Sequence, residues 1–480
     1  MTTSPPIIKE IACPSSARAA FAHFAGRPGA ALLESSNRDP RLGRWSFLAS
    51  DPFLTFRSKG PRVEVQTGGN SRVFEANPFA ALAELLSEYQ VMRPAFAPPL
   101  LAGAIGYFAY DLGRFVERIP EQTVDDVPVA DCHLGFYGAV LAINHQQQRA
   151  WICALGAPET DPAAAQGLAE ARAEELAQRL IAPVAETREE PLTRATELAL
   201  TSNFTREEYL RAVRRAKEYI AAGDIYQVNL SQRLHAELAS NPLALYRRLA
   251  TDNPSPFAAY LETPGAAVVS CSPERFLQVR GREVETRPIK GTRPRGATRE
   301  EDARLAAELL ASEKDRAENV MIVDLERNDL GRVCEYGSVH VPELFAVESY
   351  ATVHHLVSTV RGRLRPGTTA LDCLREAFPG GSITGAPKVR SMEIIEELEP
   401  TRRGVYTGAI GYLCFSGDMD VNIVIRTVIV KDGVAYFQVG GGIVADSDPE
   451  AEYQETIDKG QALARALAAE AGAERIRWPE

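Results

Sequence analysis

Near its amino terminus the chain alternates apolar and polar side chains. RWSFLAS (44–50), FLTFRSK (53–59) and RVEVQT (62–67) all do so, with Asp51-Pro52 and Gly60-Pro61 between them. A period of two places successive side chains on opposite faces of a strand, and Pro and Gly punctuate the turns. Short turns of this kind commonly join antiparallel neighbours. This is the pattern of a β-meander, and it constrains everything that follows. GFYGAVLAIN (135–144) and AWICAL (150–155) read as a further hairpin. PFAALAELLSEYQ (78–90) has helical spacing, and LLAGAIGYFAYDLGRF (100–115) reads as a strand running into a short helix.

After residue 203 the strands again come in runs. A helix opens behind the capping-box pair Thr205 and Glu208. Strands are expected at about 225–235, 256–262, 266–271, 274–280 and 283–288. Helices follow at 299–311 and 312–330, a strand near 338–350, and helices near 369–376 and 386–397. Four strands between 404 and 445 and a last helix complete the pattern. Strands in runs, not alternating singly with helices, give an α+β class and exclude Rossmann and TIM-barrel patterns. Residues 160–182 read as a surface helix. The segment 183–202 lacks an apolar face and reads as a linker, dividing an amino-terminal region (1–182) from a larger domain (203–475).

The formal net charge of −11 disfavours nucleic acid and anionic lipid as partners, so the basic run from Arg287 to Arg295 points to a small anion. No apolar stretch is long enough to span a membrane, and the amino terminus lacks the pattern of a signal peptide. Seven scattered cysteines without a CxxC fit reduced thiols in a cytoplasmic protein.

Several residues are candidates for chemistry. Glu318 lies one turn into the helix that starts at Ser312. Glu452, Glu455 and Lys459 share a face of the last helix, which Asp448 caps and Pro449 opens. Each set alone is compatible with a solvated face; paired carboxylates from two helices would also suit Mg²⁺. PGGSITGAPK (379–388) is not a Walker loop, because Gly385 is followed by Ala386, Pro387 and Lys388. Gly440, Gly441 and Gly442 permit close backbone approach or a tight turn. Arg426 ends an apolar strand, where it could grip a carboxylate or pair with a structural acid. His354 and His355 sit in an apolar strand or helix.

Together these pieces resemble one family. SCSPERFL (270–277), RPIKGTRPR (287–295), KDRAENVMIVDLERNDLGRV (314–333), VHHLVS (353–358), FPGGSITGAPKVRSMEII (378–395), GAIGYL (408–413), IVIRT (423–427) and GGGIVADSDPEAEYQET (440–456) occur in the order seen in chorismate-utilising enzymes. That family includes anthranilate synthase component I, aminodeoxychorismate synthase component I and the isochorismate and salicylate synthases. The resemblance implies two large antiparallel sheets packed as a sandwich with helices outside.

The resemblance also implies site roles. Gln227 stands where the water-adding relatives carry a lysine base, so ammonia is the expected nucleophile. Lys290, in PIKGT, stands where anthranilate synthases carry alanine, which points to the aminodeoxychorismate branch and a covalent lysine nucleophile. Arg293, Arg295 or Mg²⁺ would lower its pKa. Glu274 matches the general acid and His355 a histidine beside the leaving hydroxyl. Glu318 and Glu455 match the Mg²⁺ carboxylates, with Glu452 as a water-mediated helper. Tyr406, Arg426, Gly440, Gly441 and Gly442 match the substrate-carboxylate contacts; Thr384, Gly385 and Lys459 are expected beside them. Leu33, Glu34 and Ser35, in LLESS (32–36), match part of a tryptophan pocket of anthranilate synthases, the competing branch. No Gly-x-Cys-x-Gly elbow is present, so a separate glutamine amidotransferase subunit is expected to supply ammonia, and a separate lyase to make p-aminobenzoate.

Overall fold

The computed structural model describes residues 5–37, 41–183, 196–238, 240–350 and 353–479. Two twelve-stranded sheets dominate it. The first runs from the edge strand Ile7–Ile11 through Arg149–Ala154, Ala139–Asn144, Trp45–Ala49, Ala31–Glu34, Phe257–Thr263, Ala266–Ser272, Thr427–Lys431 and Val434–Ile443 to Gln227–Glu237 and Thr201–Ser202. The second runs from Ile289–Pro294 through Val353–Arg363, Glu283–Arg287, Arg275–Arg280, Met419–Ile423, Ala409–Cys414, Gly103–Phe108, Cys132–Tyr137 and Leu54–Lys59 to Arg62–Thr67 and Asn70–Glu75. Both sheets combine strands from before residue 184 and after residue 195. The fold is α+β, a two-sheet antiparallel sandwich with helices outside.

The alternation read from the sequence is what separates the layers. In Ala31–Glu34, Ala31 and Leu33 face the core between the sheets, with Phe47, Tyr107, Ile410 and Tyr412. Leu32 and Leu48 face outward, into a core shared with the helices Pro162–Ile181, Pro242–Asp252 and Pro449–Glu470. The outer face of the second sheet packs Phe56, Phe108 and Leu277 against Phe79, Val323 and Leu374 from three other helices. The central strands of both sheets are thus covered on at least one face by apolar side chains two residues apart, while the edge strands Asn70–Glu75 and Thr201–Ser202 are not.

Most expected elements are present within a residue or two, but several readings change. RWSFLAS does not join the meander: Trp45–Ala49 lies in the first sheet and Leu54–Lys59 in the second, so the meander starts at FLTFRSK and runs through Arg62–Thr67 to Asn70–Glu75. GFYGAVLAIN is not one strand: it breaks at Gly138, with Cys132–Tyr137 in the second sheet and Ala139–Asn144 in the first. A Cβ at Gly138 would stand 2.2 Å from the Arg172 guanidinium, so a larger residue at this crossing would displace that side chain from the Leu155 and Ala157 carbonyls to which it donates. VHHLVS resolves as strand, within Val353–Arg363. The helix Pro242–Asp252 escaped the reading although its signals are present: Asn241 caps it by accepting from the Leu243 N–H at 2.8 Å, and Pro242 occupies its first turn. Of the segment read as a linker, residues 184–195 lie outside the described residues. Glu197–Ala199 pairs with Arg475–Arg477, and Thr201–Ser202 joins the first sheet.

Candidate active site

The site forms where the chain passes from one sheet to the other. Glu274 occupies the crossing between Ala266–Ser272 and Arg275–Arg280, and Arg426 the crossing between Met419–Ile423 and Thr427–Lys431. Arg426 makes its turn at φ +53, a left-handed conformation rare for a non-glycine residue and concentrated at functional sites. Lys290 is presented by a β-bulge. Ile289 pairs with Val357 and Thr292 with His355, so two residues, Lys290 and Gly291, oppose one on the partner strand. Gly291 takes φ +85 there. Bulges re-aim side chains beside active sites, and this one explains the order Lys-Gly in PIKGT.

Burial and charge tune the cluster. Burial holds the Lys290 amine below its ordinary value, and Lys459 pushes the same way, against Glu318, Glu274 and Glu455. Arg293 and Arg295, expected in that role, are instead engaged by Asp315 at 2.9 Å and Asp302 at 2.7 Å. Glu274 is 4% exposed. Burial pushes its carboxyl up to about 7, although Ser382 Oγ donates to it at 2.6 Å and Lys290 lies nearby. His355 is buried beside Arg426, which takes it down to about 4; Thr292 Oγ1 lies 2.9 Å from its Nδ1. An acid that holds its proton near neutrality, beside an amine eased toward its free-base form, is the pairing that acid and nucleophilic catalysis require.

Opposite them stand the carboxylates. Burial raises Glu318 and Glu452, the latter despite a 2.6 Å hydrogen bond from Ser447 Oγ. Burial would raise Glu455 too, but Lys459, at 2.6 Å, keeps it below the usual range. Glu452 Oε2 and Glu455 Oε1 converge on Gly441, where a Cβ would stand 3.2 and 3.3 Å from them. Among the described residues no three His, Cys, Asp or Glu side chains form a metal cage. The donor set fits Mg²⁺, which takes one or two carboxylates and fills its remaining positions with water and substrate oxygens. Lys314, one turn before Glu318 and missed in the sequence, lies in the field of all three carboxylates.

Groups whose chemistry suits anions adjoin the cluster. Arg426 has no carboxylate partner among the described residues; it donates to the Lys459 carbonyl, and burial lowers its pKa. Burial raises Tyr406 to about 12, with Arg403 and Arg426 opposing. Lys459 Nζ donates to the Gly440 carbonyl at 2.9 Å. Gln227 is wholly buried and neither atom of its amide has a hydrogen-bond partner. It lies against Gly442, where a Cβ would clash with Nε2 at 2.0 Å. Thr384 and Gly385 adjoin Gln227, but Thr384 Oγ1 donates to the Gly380 carbonyl at 3.0 Å, so it braces the turn.

Leu33, Glu34 and Ser35 lie elsewhere, on a cavity of about 510 Å³ between the sheets whose lining includes Arg44, Pro256, Arg287 and Tyr412. Glu34 turns its carboxylate away, accepting from Tyr246 at 2.7 Å and Arg18 at 3.2 Å.

Residues 38–465 match the family model for chorismate binding enzymes. The chain belongs to that family. The chain is similar to aminodeoxychorismate synthase component 1 of Bacillus subtilis (strain 168), 42% identical over 436 residues, which cover 91% of each chain. It is also similar to anthranilate synthase component 1 of Thermus thermophilus, 46% identical over 447 residues, covering 93% of this chain and 94% of that one. Among solved structures, anthranilate synthase component I from Streptococcus pneumoniae TIGR4 aligns with a TM-score of 0.78 at 34% identity, over 88% of this chain and 92% of that one. Family members of both names thus lie at similar distance, and overall identity does not choose between them.

Proposed function

We propose that the protein is the synthase component of a chorismate aminase, and specifically an aminodeoxychorismate synthase component I. Lys290 carries this reading: a lysine, presented by a bulge, with its pKa lowered, beside an acid raised to about 7. The Lys290 amine attacks ring carbon 2 of chorismate as Glu274 protonates the hydroxyl leaving carbon 4. Ammonia then attacks carbon 4 and expels the lysine, giving 4-amino-4-deoxychorismate. His355, neutral down to about pH 4, sits beside the leaving group without adding charge. Arg426, Tyr406, Lys459 and the backbone at Gly440, Gly441 and Gly442 take the substrate carboxylates. Glu318, Glu455 and Glu452 would hold Mg²⁺, which when bound supplies charge that neutralises a substrate carboxylate. Gln227 has no basic group, which disfavours water as nucleophile. Ammonia comes from a separate glutamine amidotransferase subunit, as the component 1 names of the relatives suggest. Seven unpaired cysteines support a reducing, cytoplasmic setting.

The second reading is anthranilate synthase component I, favoured by the cavity at Leu33, Glu34 and Ser35, which would then take tryptophan. One assay separates the two. The protein is incubated with chorismate, Mg²⁺ and ammonium, and half the sample receives aminodeoxychorismate lyase. Lyase-dependent p-aminobenzoate is expected. Anthranilate formed without lyase would overturn the proposal, and a Lys290→Ala variant that kept full aminodeoxychorismate formation would overturn the covalent step.

A further inference from the structure

Replacing a hydroxyl with ammonia leaves a proton debt at Glu274. The carbon–oxygen bond breaks and its electron pair departs as water with the Glu274 proton. Neutral ammonia supplies the electron pair of the new carbon–nitrogen bond and ends as an ammonium group on the product. Passage through Lys290 does not alter the sum: the amine attacks neutral and leaves neutral. Glu274 therefore ends each turnover ionised, buried at 4% exposure, and must gain one proton before the next.

Behind Glu274 lies a carboxyl that the reaction itself does not use. Glu326 is 5% exposed, and among the described residues it has no ion pair within 4 Å; Thr286 Oγ1 donates to it at 3.0 Å. The helix Glu313–Gly331 sets it there. Its neighbour Leu325 packs on Gly381, in the same turn as Ser382, which donates to Glu274. Glu274 and the helix that carries Glu326 thus both meet the Gly381–Ile383 turn, and Thr286, which donates to Glu326, adjoins Arg287, the strand partner of the Arg275 that follows Glu274. One helical turn on, at i+3, Asp329 pairs with Lys388 Nζ at 2.6 Å, and Lys388 also donates to the Ala377 carbonyl. Glu274, Glu326 and Asp329 are all buried, and beyond them the side chains of Lys388, Glu117 and Arg332 are increasingly exposed, at 11%, 28% and 45%.

We propose that Glu326 is a proton relay that reloads Glu274 once per turnover from the Asp329–Lys388 pair and the surface beyond it. Glu326 acts through Glu274 and touches no substrate. Its surroundings suit the role: burial pushes the Glu326 carboxyl well above its ordinary value, and Glu274 and Asp329 push the same way, against the Thr286 hydrogen bond and Lys388. On the far side Glu274 faces Lys290, the Ser382 hydroxyl and the Ile289 N–H. Asp329 faces Lys388, Arg332 and Glu117. A protonated acid behind an ionised one is a donor poised to pass its proton forward, and the Asp329–Lys388 pair then refills it.

The inference rests on the amination proposed above, whichever aminated product forms. Its test is Glu326→Gln, which keeps shape and neutrality but cannot relay a proton. Enzyme equilibrated near pH 6, about one unit below the Glu274 value, starts with that acid mostly protonated. With chorismate, Mg²⁺ and ammonium, the variant should complete its first turnover at the wild-type rate. Its steady-state rate should then fall by about tenfold or more, and Glu326→Asp should restore part of it. A first turnover slowed as much as later ones, or an unchanged steady state, overturns the relay. Should the glutamine variant not fold, the wild type still decides. Its steady-state rate should show a larger solvent deuterium effect than its first turnover, and equal effects overturn the relay. If the wild type makes no aminated product, the functional reading falls with the relay, and the wild-type reaction alone tells the two failures apart.

Discussion

Glu274 should make the protein less stable at the pH where it is useful. Its carboxyl rises from an ordinary 4.5 to about 7 because it is buried. For an acid raised on folding, the stabilisation is fully present below the unfolded value and is lost as pH rises through the folded one. Between those values the unfolded chain has released its proton while the native state still holds it. Each pH unit in that window costs about 1.4 kcal/mol. Glu274→Gln removes the titration and keeps an acceptor for the Ser382 hydroxyl. Relative to wild type, it should gain about 2 to 3 kcal/mol of stability between about pH 5 and pH 8. Lys290, which loses an anionic neighbour, trims that gain. Urea unfolding of both proteins at the two pH values measures the difference. Catalysis should be abolished by the same change. Parallel stability curves would refute the reasoning, because they would mean that Glu274 ionises in the native state as readily as in the unfolded chain.

Three other outcomes follow from single contacts. Arg403→Ala breaks a buried pair with Glu399 (2.7 Å) and bonds to the Asn229 and Ile383 carbonyls, and should cost about 3–5 kcal/mol in denaturant melts. A loss under about 1 kcal/mol would show that the site is wetter than its geometry implies. Gly441→Ala places a methyl 3.2 and 3.3 Å from the Glu452 and Glu455 oxygens, and should raise the Mg²⁺ needed for half-maximal activity about tenfold while melting near the wild-type temperature. An unchanged Mg²⁺ requirement would remove these carboxylates from the metal's environment. The imidazole of His355 should stay neutral down to about pH 4 in a nitrogen-15 NMR titration; protonation near its ordinary 6.5 would contradict the burial that sets it.

The fold was legible where each strand faces one apolar layer and one other surface. FLTFRSK and RVEVQT show it in their alternation, and the short turn between them joins them as antiparallel neighbours. The reading failed where a single residue decides between sheets. In GFYGAVLAIN both halves are apolar and strand-like, so nothing in the periodicity marks Gly138 as the crossing; only the Arg172 guanidinium packed against it does. The helix Pro242–Asp252 failed for a different reason. Its cap and first proline were visible, but the flanking strands suggested one more turn between strands.

The site was legible to the extent that its chemistry is carried by residue type. Lys290, Glu274, Glu318 and Glu455 announce themselves as acids and bases in dense motifs, and the fold brings their charges into one field. What tunes them was not legible, because it depends on contacts between segments distant in sequence. Ser382 reaches Glu274 across 108 positions, and Lys459 displaces the expected Arg293 and Arg295 as the cation that works against protonated Lys290. Glu326 shows the limit most clearly. In KDRAENVMIVDLERNDLGRV it is one more charged residue on a helix rich in them, and its spacing from Glu318 says only that the two can share a broad face. Its surroundings set it apart: it is buried, without a cation within ion-pair distance among the described residues, and beside another acid, and its carboxyl is pushed well above the ordinary value. A sequence can name an acid; whether that acid is a ligand, a donor or a solvated ornament is set by which charges the fold places beside it.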